Sequence, residues 1–429
     1  MSKNGLFVIV VFLMLAASCR SSQSSVLESG LSAYVPSDAC AVFYCNNASS
    51  AQELIFGPEE AMAKLDLTGL KHKEMLVSCH YYGEMEALLL LQLDKSSKGQ
   101  LLKASAALME EAASLGLQSL QLDDVLLLSE SASLLSSASR HVSENASIKD
   151  VPAIQQALAL GKKDAPFYAV VRNSSLRYIF PKEKKFLANL IDRPRLLSYF
   201  DAISSYLFIS LDAVEPVIGG EYVKFSIQPL VTDSLRQYSA FVDQLPLKER
   251  ALDKYIVSGC ESFMYESVGS DEDYFAKRKQ WLDANSLLKS FEKSSRAVRK
   301  ELGKSPEEWA RSLGIDQIAK IKSRGQSILA LHCSNRPDSL PLYKKGLTAL
   351  LYGQEFALKD ESSLAMDGQN LLIGQAEAVD YFLKAKSSRL PAQFPGKESK
   401  ALLLNGRLLM DWGKEGIKMT VYKPYQYEH

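Results

Sequence analysis

The sequence of 429 residues lacks an excess of charge of either sign. Fifty lysine and arginine residues balance fifty aspartate and glutamate residues, so the formal net charge is zero. A neutral chain has no overall field that would steer it towards a nucleic acid. It also has no overall field that would bind an anionic bilayer, and we expect no nucleic-acid partner.

Cysteine and histidine are scarce, and their spacing matches neither a zinc site nor a disulfide framework. Two adjacent pairs, Cys79-His80 and His332-Cys333, fall within predicted strands, where neighbouring side chains point to opposite faces. We expect buried free thiols, and we predict no metal ion and no cofactor. The alternatives are one disulfide, or one metal or thiol site formed by pairs at matching places in two repeats.

Motifs of known catalytic machinery are also missing. The sequence contains no Gly-x-Ser-x-Gly and no phosphate-binding glycine loop. Ser286-x-x-Lys289 and Ser290-x-x-Lys293 match the nucleophile spacing of penicillin-recognising enzymes, but the accompanying Lys-Thr-Gly and Ser-Asp-Asn are absent. No catalytic residue is predicted, and a protein without enzymatic activity is favoured.

Long hydrophobic runs are absent apart from Leu6–Ala17 near the start of the chain. As a helix this run would be about 18 Å long, whereas the hydrocarbon core of a bilayer is about 30 Å thick. Lys3 precedes the run, and the small residues Ala16-Ala17-Ser18 end it, which is typical of a secretory signal. We predict that residues 1–18 form a signal peptide.

The residue after this segment is Cys19, and the arrangement resembles the lipobox of bacterial lipoproteins. In lipoproteins that cysteine is lipidated and becomes the mature N-terminus. The usual motif has leucine three residues before the cysteine. This chain has Ala16 there and Leu15 one position earlier, a looser form similar to lipoboxes of Bacteroidota. The resemblance implies lipidation of Cys19 and anchoring in a lipid bilayer; an ordinary cleaved signal with an unmodified Cys19 is the alternative.

Residues 19–32 are predicted to be the lipidated cysteine and a flexible tether. The segment Arg20–Ser25 is serine-rich and has no apolar periodicity. It also lacks the acidic residues that favour display on the cell surface in the lipoproteins it resembles. The expected location is therefore the outer membrane of the cell envelope, facing the periplasm.

The rest of the chain has the composition of a globular protein, and its length suggests two domains. Short matches recur in the same order in both halves. They pair Tyr34–Ser37 with Tyr255–Ser258, Met75–His80 with Ile328–Cys333, Leu122–Leu128 with Met366–Ile373, and Val223–Ile227 with Ile417–Val421. These matches predict two similar tandem domains, and two unrelated halves are the alternative.

Strands are predicted in hairpins, with helices between them. The hairpins join Met75–His80 to Ala87–Leu93, Ser119–Leu122 to Val125–Ser129, and Tyr206–Leu211 to Tyr222–Gln228. We therefore predict an α+β fold in which each domain is a mixed or antiparallel sheet with helices covering one face.

The predicted domain boundaries follow from this pattern. Domain 1 is expected at residues 33–232, a linker at 233–252, domain 2 at 253–424 and a tail at 425–429. Domain 2 has a helical insertion at about 275–314. This insertion contains a helix over Asp283–Leu302 and a second helix that begins with a capping box at Ser305.

The order of lipobox, polar tether and the segment Tyr34–Val42 resembles uncharacterised envelope lipoproteins of Bacteroidota, which carry a domain of unknown function. These proteins begin their folded part with a proline-aspartate-alanine turn that leads into a valine-rich strand. The resemblance transfers no catalytic residue. It suggests O-glycosylation at Ser234 and Ser339, each within an Asp-Ser-Leu tripeptide.

These observations predict a membrane-anchored envelope lipoprotein that acts as a non-enzymatic binding, structural or interaction module. Its expected partners are the bilayer, through the acyl anchor, and an envelope protein or polymer. The alternative is a periplasmic hydrolase-type enzyme with a site in the cleft between the two repeats.

Mass spectrometry of the native protein tests the lipidation of Cys19. We expect the first peptide to begin at Cys19 and to carry an acyl mass, and we expect Cys19→Ala to lose both features. An intact Met1 peptide would contradict the prediction. Peptides containing Ser234 and Ser339 in the same digest would reveal glycan masses.

Overall fold

The computed structural model of the chain describes fourteen stretches of sequence. They are residues 30–45, 60–67, 74–93, 98–160, 167–175, 178, 204–217, 220–269, 271–335, 362–385, 397–398, 400–404, 408–413 and 416–424. The chain divides into two compact units, one up to Thr232 together with the end from Lys423, and the other from Asp233 to Tyr422. Both consist of antiparallel sheet and helices, which confirms the predicted α+β class.

In the described part of the first unit, eight strands form an antiparallel sheet. They are β1 (Ala41–Cys45), β2 (Met75–Tyr81), β3 (Met85–Gln92), β4 (Gln118–Leu122), β5 (Val125–Ser129), β6 (Phe167–Arg172), β7 (Tyr206–Val217) and β8 (Gly220–Leu230). Their order across the sheet is β8-β7-β6-β1-β2-β3-β5-β4. All three predicted hairpins are present, as β2–β3, β4–β5 and β7–β8.

The helices in the described part of the first unit are α1 (Lys98–Ser114), α2 (Ala132–Ser143) and α3 (Pro152–Leu160). Helix α2 begins where the Ser131 hydroxyl accepts a hydrogen bond of 3.2 Å from the backbone N–H of Leu134. Its residues Leu134 and Ala138 are buried in a core shared with β3, β5 and β6. Burial of this apolar stripe therefore fixes α2 against the sheet.

The described part of the second unit has ten strands. They are β9 (Lys248–Glu249), β10 (Cys260–Ser267), β11 (Ile315–Ser323), β12 (Gln326–Cys333), β13 (Ser362–Asp367), β14 (Asn370–Gln375), β15 (Lys397–Glu398), β16 (Lys400–Leu404), β17 (Leu408–Gly413) and β18 (Gly416–Pro424). Eight of them follow the order β13-β14-β12-β11-β10-β16-β17-β18, and β9 pairs with β15 separately.

The described helices of this unit are α4 (Tyr238–Val242), α5 (Glu272–Ala284), α6 (Leu288–Leu302), α7 (Pro306–Leu313) and α8 (Ala376–Lys384). The predicted capping box at Ser305 is confirmed, and Gly314 ends α7 in a left-handed conformation. The single helix predicted over Asp283–Leu302 is wrong. The helical conformation is interrupted at Ser286, which has a φ of 60°, so α5 ends at Ala284 and α6 begins at Leu288.

Residues 233–252, predicted to be a linker, carry α4 and β9. Phe241, Val242 and Leu245 from this segment are buried in an apolar core with α5, α7, β11, β12 and β14. The segment therefore belongs to the folded second unit.

Helices lie on both faces of the sheet in the second unit, so the prediction that they cover one face is wrong there. On β12, Leu329 and Leu331 pack into the core that contains α5 and α7. Ile328 and Ala330 alternate with them and pack into a second core that contains α8. Because successive strand residues point to opposite faces, both surfaces of β12 are covered.

Because both faces of β12 are buried, we predict that substitutions on either face destabilise the protein. We expect Ile328→Ala and Leu331→Ala each to lower the free energy of unfolding by about 2–5 kcal/mol, because each leaves a cavity at a fully buried site. Leu383→Ala, at a side chain that is 43% exposed, is the control and should change it by less than about 0.5 kcal/mol. Denaturant titration measures all three, and a small effect at either buried position would contradict a two-sided core.

Candidate functional site

The predicted modification sites fall at different places relative to the described structure. Cys19 and Ser339 lie outside the described residues. Ser234 is exposed in a turn where the Asp233 carboxylate accepts hydrogen bonds from the backbone N–H groups of Leu235 and Arg236, at 3.1 and 3.0 Å. Its hydroxyl is therefore accessible from solvent.

The cysteines form no disulfide or metal centre within the described residues. Cys40, Cys45, Cys79, Cys260 and Cys333 keep reduced thiols, and no group of three metal-ligating side chains occurs in these stretches. Burial raises the pKa of Cys79 and of Cys333 to about 12. Both thiols therefore stay protonated near neutral pH and are poor nucleophiles.

The two cysteine–histidine pairs do not occupy matching strands. The alternative of a metal or thiol site formed by pairs at matching places in two repeats is therefore wrong. Cys79-His80 lies on β2, whose neighbours are β1 and β3. His332-Cys333 lies on β12, whose neighbours are β11 and β14. When the strand order of the second unit is aligned with that of the first, β12 corresponds to β3, and β11 corresponds to β2.

A different set of polar residues meets at the end of β2 in the first unit. Ser78 and His80 are two residues apart, so they share one face of the strand, and both are fully buried. The His80 Nε2 atom lies 2.9 Å from the Ser78 Oγ atom, and its Nδ1 atom lies 3.0 Å from Asp38 Oδ1. Asp38 comes from the turn before β1, which brings it to β2 from a distant part of the sequence.

The carboxylate of Asp38 defines the hydrogen-bonding pattern of the group. An ionised carboxylate only accepts hydrogen bonds, so His80 Nδ1 carries the hydrogen. The His80 hydrogen bond, with a further one from the Tyr82 hydroxyl, outweighs partial burial and lowers the pKa of Asp38 to about 2. Asp38 is thus ionised at any physiological pH, with its side chain 45% exposed.

The hairpin between β2 and β3 places two tyrosines beside this carboxylate. The Tyr82 hydroxyl donates a 2.8 Å hydrogen bond to Asp38 Oδ2 and lies 3.4 Å from the Ser137 hydroxyl on α2. Tyr81 stacks on Tyr178, with ring centroids 4.1 Å apart. Tyr81 and Tyr82 are nevertheless 39% and 42% exposed. We call Asp38, Tyr81 and Tyr82 the tyrosine surface.

The Ser78–His80–Asp38 chain has the connectivity of a catalytic triad but the opposite exposure. In hydrolases the serine faces the substrate and the aspartate is buried. Here Ser78 is fully buried, whereas Asp38 is the solvent-exposed end. Ser78 therefore has no access to a substrate, and the chain positions the Asp38 carboxylate for hydrogen bonding at the surface.

The second unit contains another histidine–carboxylate pair. His332 Nδ1 lies 2.7 Å from Asp316 Oδ1, and Lys248 Nζ lies 2.8 Å from the other oxygen of the same carboxylate. Both oxygens of Asp316 are thus engaged by neighbouring side chains. The pair joins β9, β11 and β12, and no exposed tyrosine hairpin accompanies it in the described stretches of this unit.

No protein-family model, curated protein or solved structure matches this chain. Among the described residues, no helix is both long enough and apolar enough to cross a membrane. The site is therefore interpreted from its own geometry.

The low pKa of Asp38 makes stability depend on pH. The pKa of this carboxylate is near 4 in the unfolded chain and about 2 in the folded protein. The ionised carboxylate therefore stabilises the folded state fully at pH values above about 4, and this contribution is lost as the pH falls towards 2. We expect Asp38→Asn to lower the free energy of unfolding at pH 6 by about 1 kcal/mol, a figure discounted for solvent exposure. The difference from wild type should vanish near pH 2.

Urea titrations across this pH range measure the effect, with Asp283→Asn at an exposed carboxylate as the control. An Asp38→Asn difference that persists unchanged at pH 2 would show that the carboxylate charge is not involved.

Proposed function

We propose that this protein is a membrane-anchored envelope lipoprotein whose two similar tandem α+β domains form a non-enzymatic binding module. The tyrosine surface of the first domain is its contact site for an envelope protein or polymer. The single observation that carries the proposal is the exposure of Tyr81 and Tyr82 beside a carboxylate held by buried His80.

The strand orders support the duplication. In chain order, β1 to β8 take the same positions in the first sheet as β10, β11, β12, β13, β14, β16, β17 and β18 take in the second. A helix follows the fifth of these strands in both units, as α2 after β5 and α8 after β14. Two unrelated halves would have no reason to share an order in which the sixth strand lies beside the first and the fifth lies between the third and the fourth.

The chemistry of the tyrosine surface suits recognition. Tyrosine offers an apolar ring and a polar hydroxyl, and it loses little conformational freedom on binding. The hydrogen bond to Asp38 holds the Tyr82 hydroxyl in place, and the stack on Tyr178 orients Tyr81. Asp38 retains lone pairs that accept hydrogen bonds from hydroxyl or amide groups of a partner.

The alternative of a hydrolase gains no support from this cluster. The buried Ser78 is the member that would have to attack a substrate, and water or substrate reaches the group from the opposite end, at Asp38. Modification at Ser234 is a separate proposal, supported by the exposure of its turn.

Photo-crosslinking from position 81 tests the proposal. A crosslinking amino acid in place of Tyr81 should give a discrete adduct in intact cells. Replacements at the exposed Leu235 and Leu383 are the controls and should not give it. Adding Asp38→Ala to the Tyr81 probe should weaken the adduct several-fold, since the carboxylate is part of the surface. The same adduct from all three positions, or no effect of Asp38→Ala, would argue against a specific contact site.

A further inference from the structure

Helix α6 carries a stripe of positive charge on its exposed face, away from the proposed binding site; its last member, Lys300, also lies in the last turn, where a cation favours the helix. Four of its residues, Lys289, Lys293, Arg296 and Lys300, are spaced by four, three and four positions. At 100° per residue they lie within an arc of about 60° and extend along about 16 Å of the helix. All four are exposed. We call them the basic stripe.

One exposed acid of the same helix, Glu292, lies about one turn from Lys289 and from Arg296, but it forms no ion pair with either. No ion pair in the described part of the chain involves any of the four residues of the basic stripe. Arg299, which lies outside the arc, pairs with Glu308 of α7 at 3.6 Å. The chain as a whole has no net charge, so the stripe is a local concentration of positive charge on a neutral protein.

The other side of α6 is turned towards the protein. Phe291 packs against the core that contains α5 and α7, and Val298 is half-buried. The side chains of Phe291 and Val298 are therefore engaged, and the helix cannot insert them into a bilayer while it stays folded. The basic stripe is left to act through charge alone.

The first turn of α6 is not optimised for helix stability. Its N-cap residue, Leu287, provides no side-chain hydrogen bond, and the first turn has no acidic residue. Lys289 instead places a positive charge near the positive end of the helix dipole. In α7, by contrast, a serine cap and two glutamates occupy the equivalent positions. The positive charge at the start of α6 has a stability cost, which is consistent with a role outside folding.

We infer that the basic stripe adsorbs to a bilayer surface that carries anionic phospholipid headgroups. The charges are complementary, and a convex row of long flexible cations recognises charge density rather than a shape or a sequence. The inference rests on the proposed membrane anchoring for its setting. A lipidated Cys19 confines the chain near the bilayer, where even weak adsorption becomes populated.

Vesicle binding of the full-length chain tests this inference, with lipidation prevented by Cys19→Ser. Vesicles contain either phosphatidylcholine alone or phosphatidylcholine with 30% phosphatidylglycerol. Because the hydrophobic leader binds both kinds of vesicle, the neutral vesicles give its contribution. The stripe variant replaces all four cations by glutamine: Lys289→Gln, Lys293→Gln, Arg296→Gln and Lys300→Gln.

A control variant makes the same change in net charge at exposed cations elsewhere: Arg140→Gln, Lys149→Gln, Arg324→Gln and Lys384→Gln. Each cation at an anionic surface strengthens adsorption roughly fivefold, so we expect the stripe variant to lose at least about tenfold in binding to anionic vesicles. The control should stay within about twofold of the parent, and 0.5 M salt should remove the difference.

Equal losses in the two variants would overturn the inference. So would binding to heparin or DNA that depends on the stripe without any such dependence on anionic vesicles, because the partner would then be an acidic polymer. A variant in which Lys289, Lys293 and Lys300 become arginine keeps the charge and should bind normally. This experiment does not need lipidation, so an unmodified Cys19 in the native protein would refute the anchor and leave the result on the stripe unaffected.

Discussion

The arrangement of the candidate site depends on one hydrogen bond, between the buried imidazole of His80 and the carboxylate of Asp38. A ring with no solvent exposure needs partners for its nitrogen atoms within the protein, since an unsatisfied buried polar group costs about 1–3 kcal/mol. Asp38 meets this requirement at one nitrogen and Ser78 at the other. The turn before β1 is thereby fixed to β2, and Tyr82 is fixed to the same carboxylate.

The sheet gives this hydrogen bond a rigid frame. Strand β1 lies between β2 and β6, so the turn that carries Asp38 leads into an interior strand. The hairpin that carries the tyrosines starts directly from β2, beside the Asp38 turn. Binding residues on short turns above a packed sheet keep their relative positions, which lowers the entropy lost on association.

Local features of the fold could be predicted from the sequence. The hairpin that joins Ser119–Leu122 to Val125–Ser129 and the capping box at Ser305 are encoded by a few adjacent residues, and both are present. The two-sided core of the second unit was missed, although Ile328–Leu331 is an unbroken apolar run of the kind found in strands buried on both faces. The break at Ser286 has only a weak signal, the asparagine at position 285, because no glycine or proline marks it.

The site itself was much harder to predict. Ser78-x-His80 on a strand places two polar side chains on one face, and that spacing was available in the sequence. The adjacent pair Cys79-His80 has no such property, because its two side chains point to opposite faces of the strand. Asp38 is 42 residues from His80 in the chain, and nothing local indicates that they meet. Their contact depends on the antiparallel register of β1 and β2, which only the folded sheet provides.

The state of the His80 ring can be observed directly by nitrogen-15 NMR of the histidine side chains, with His80→Gln to assign the signal. We predict an Nδ1–H proton that exchanges slowly with water, because the ring is buried and bonded to Asp38, and we expect Asp38→Ala, which removes the acceptor, to speed the exchange. Rapid exchange of that proton in the wild-type protein, or exchange that Asp38→Ala leaves unchanged, would contradict the interaction on which the proposed binding surface depends.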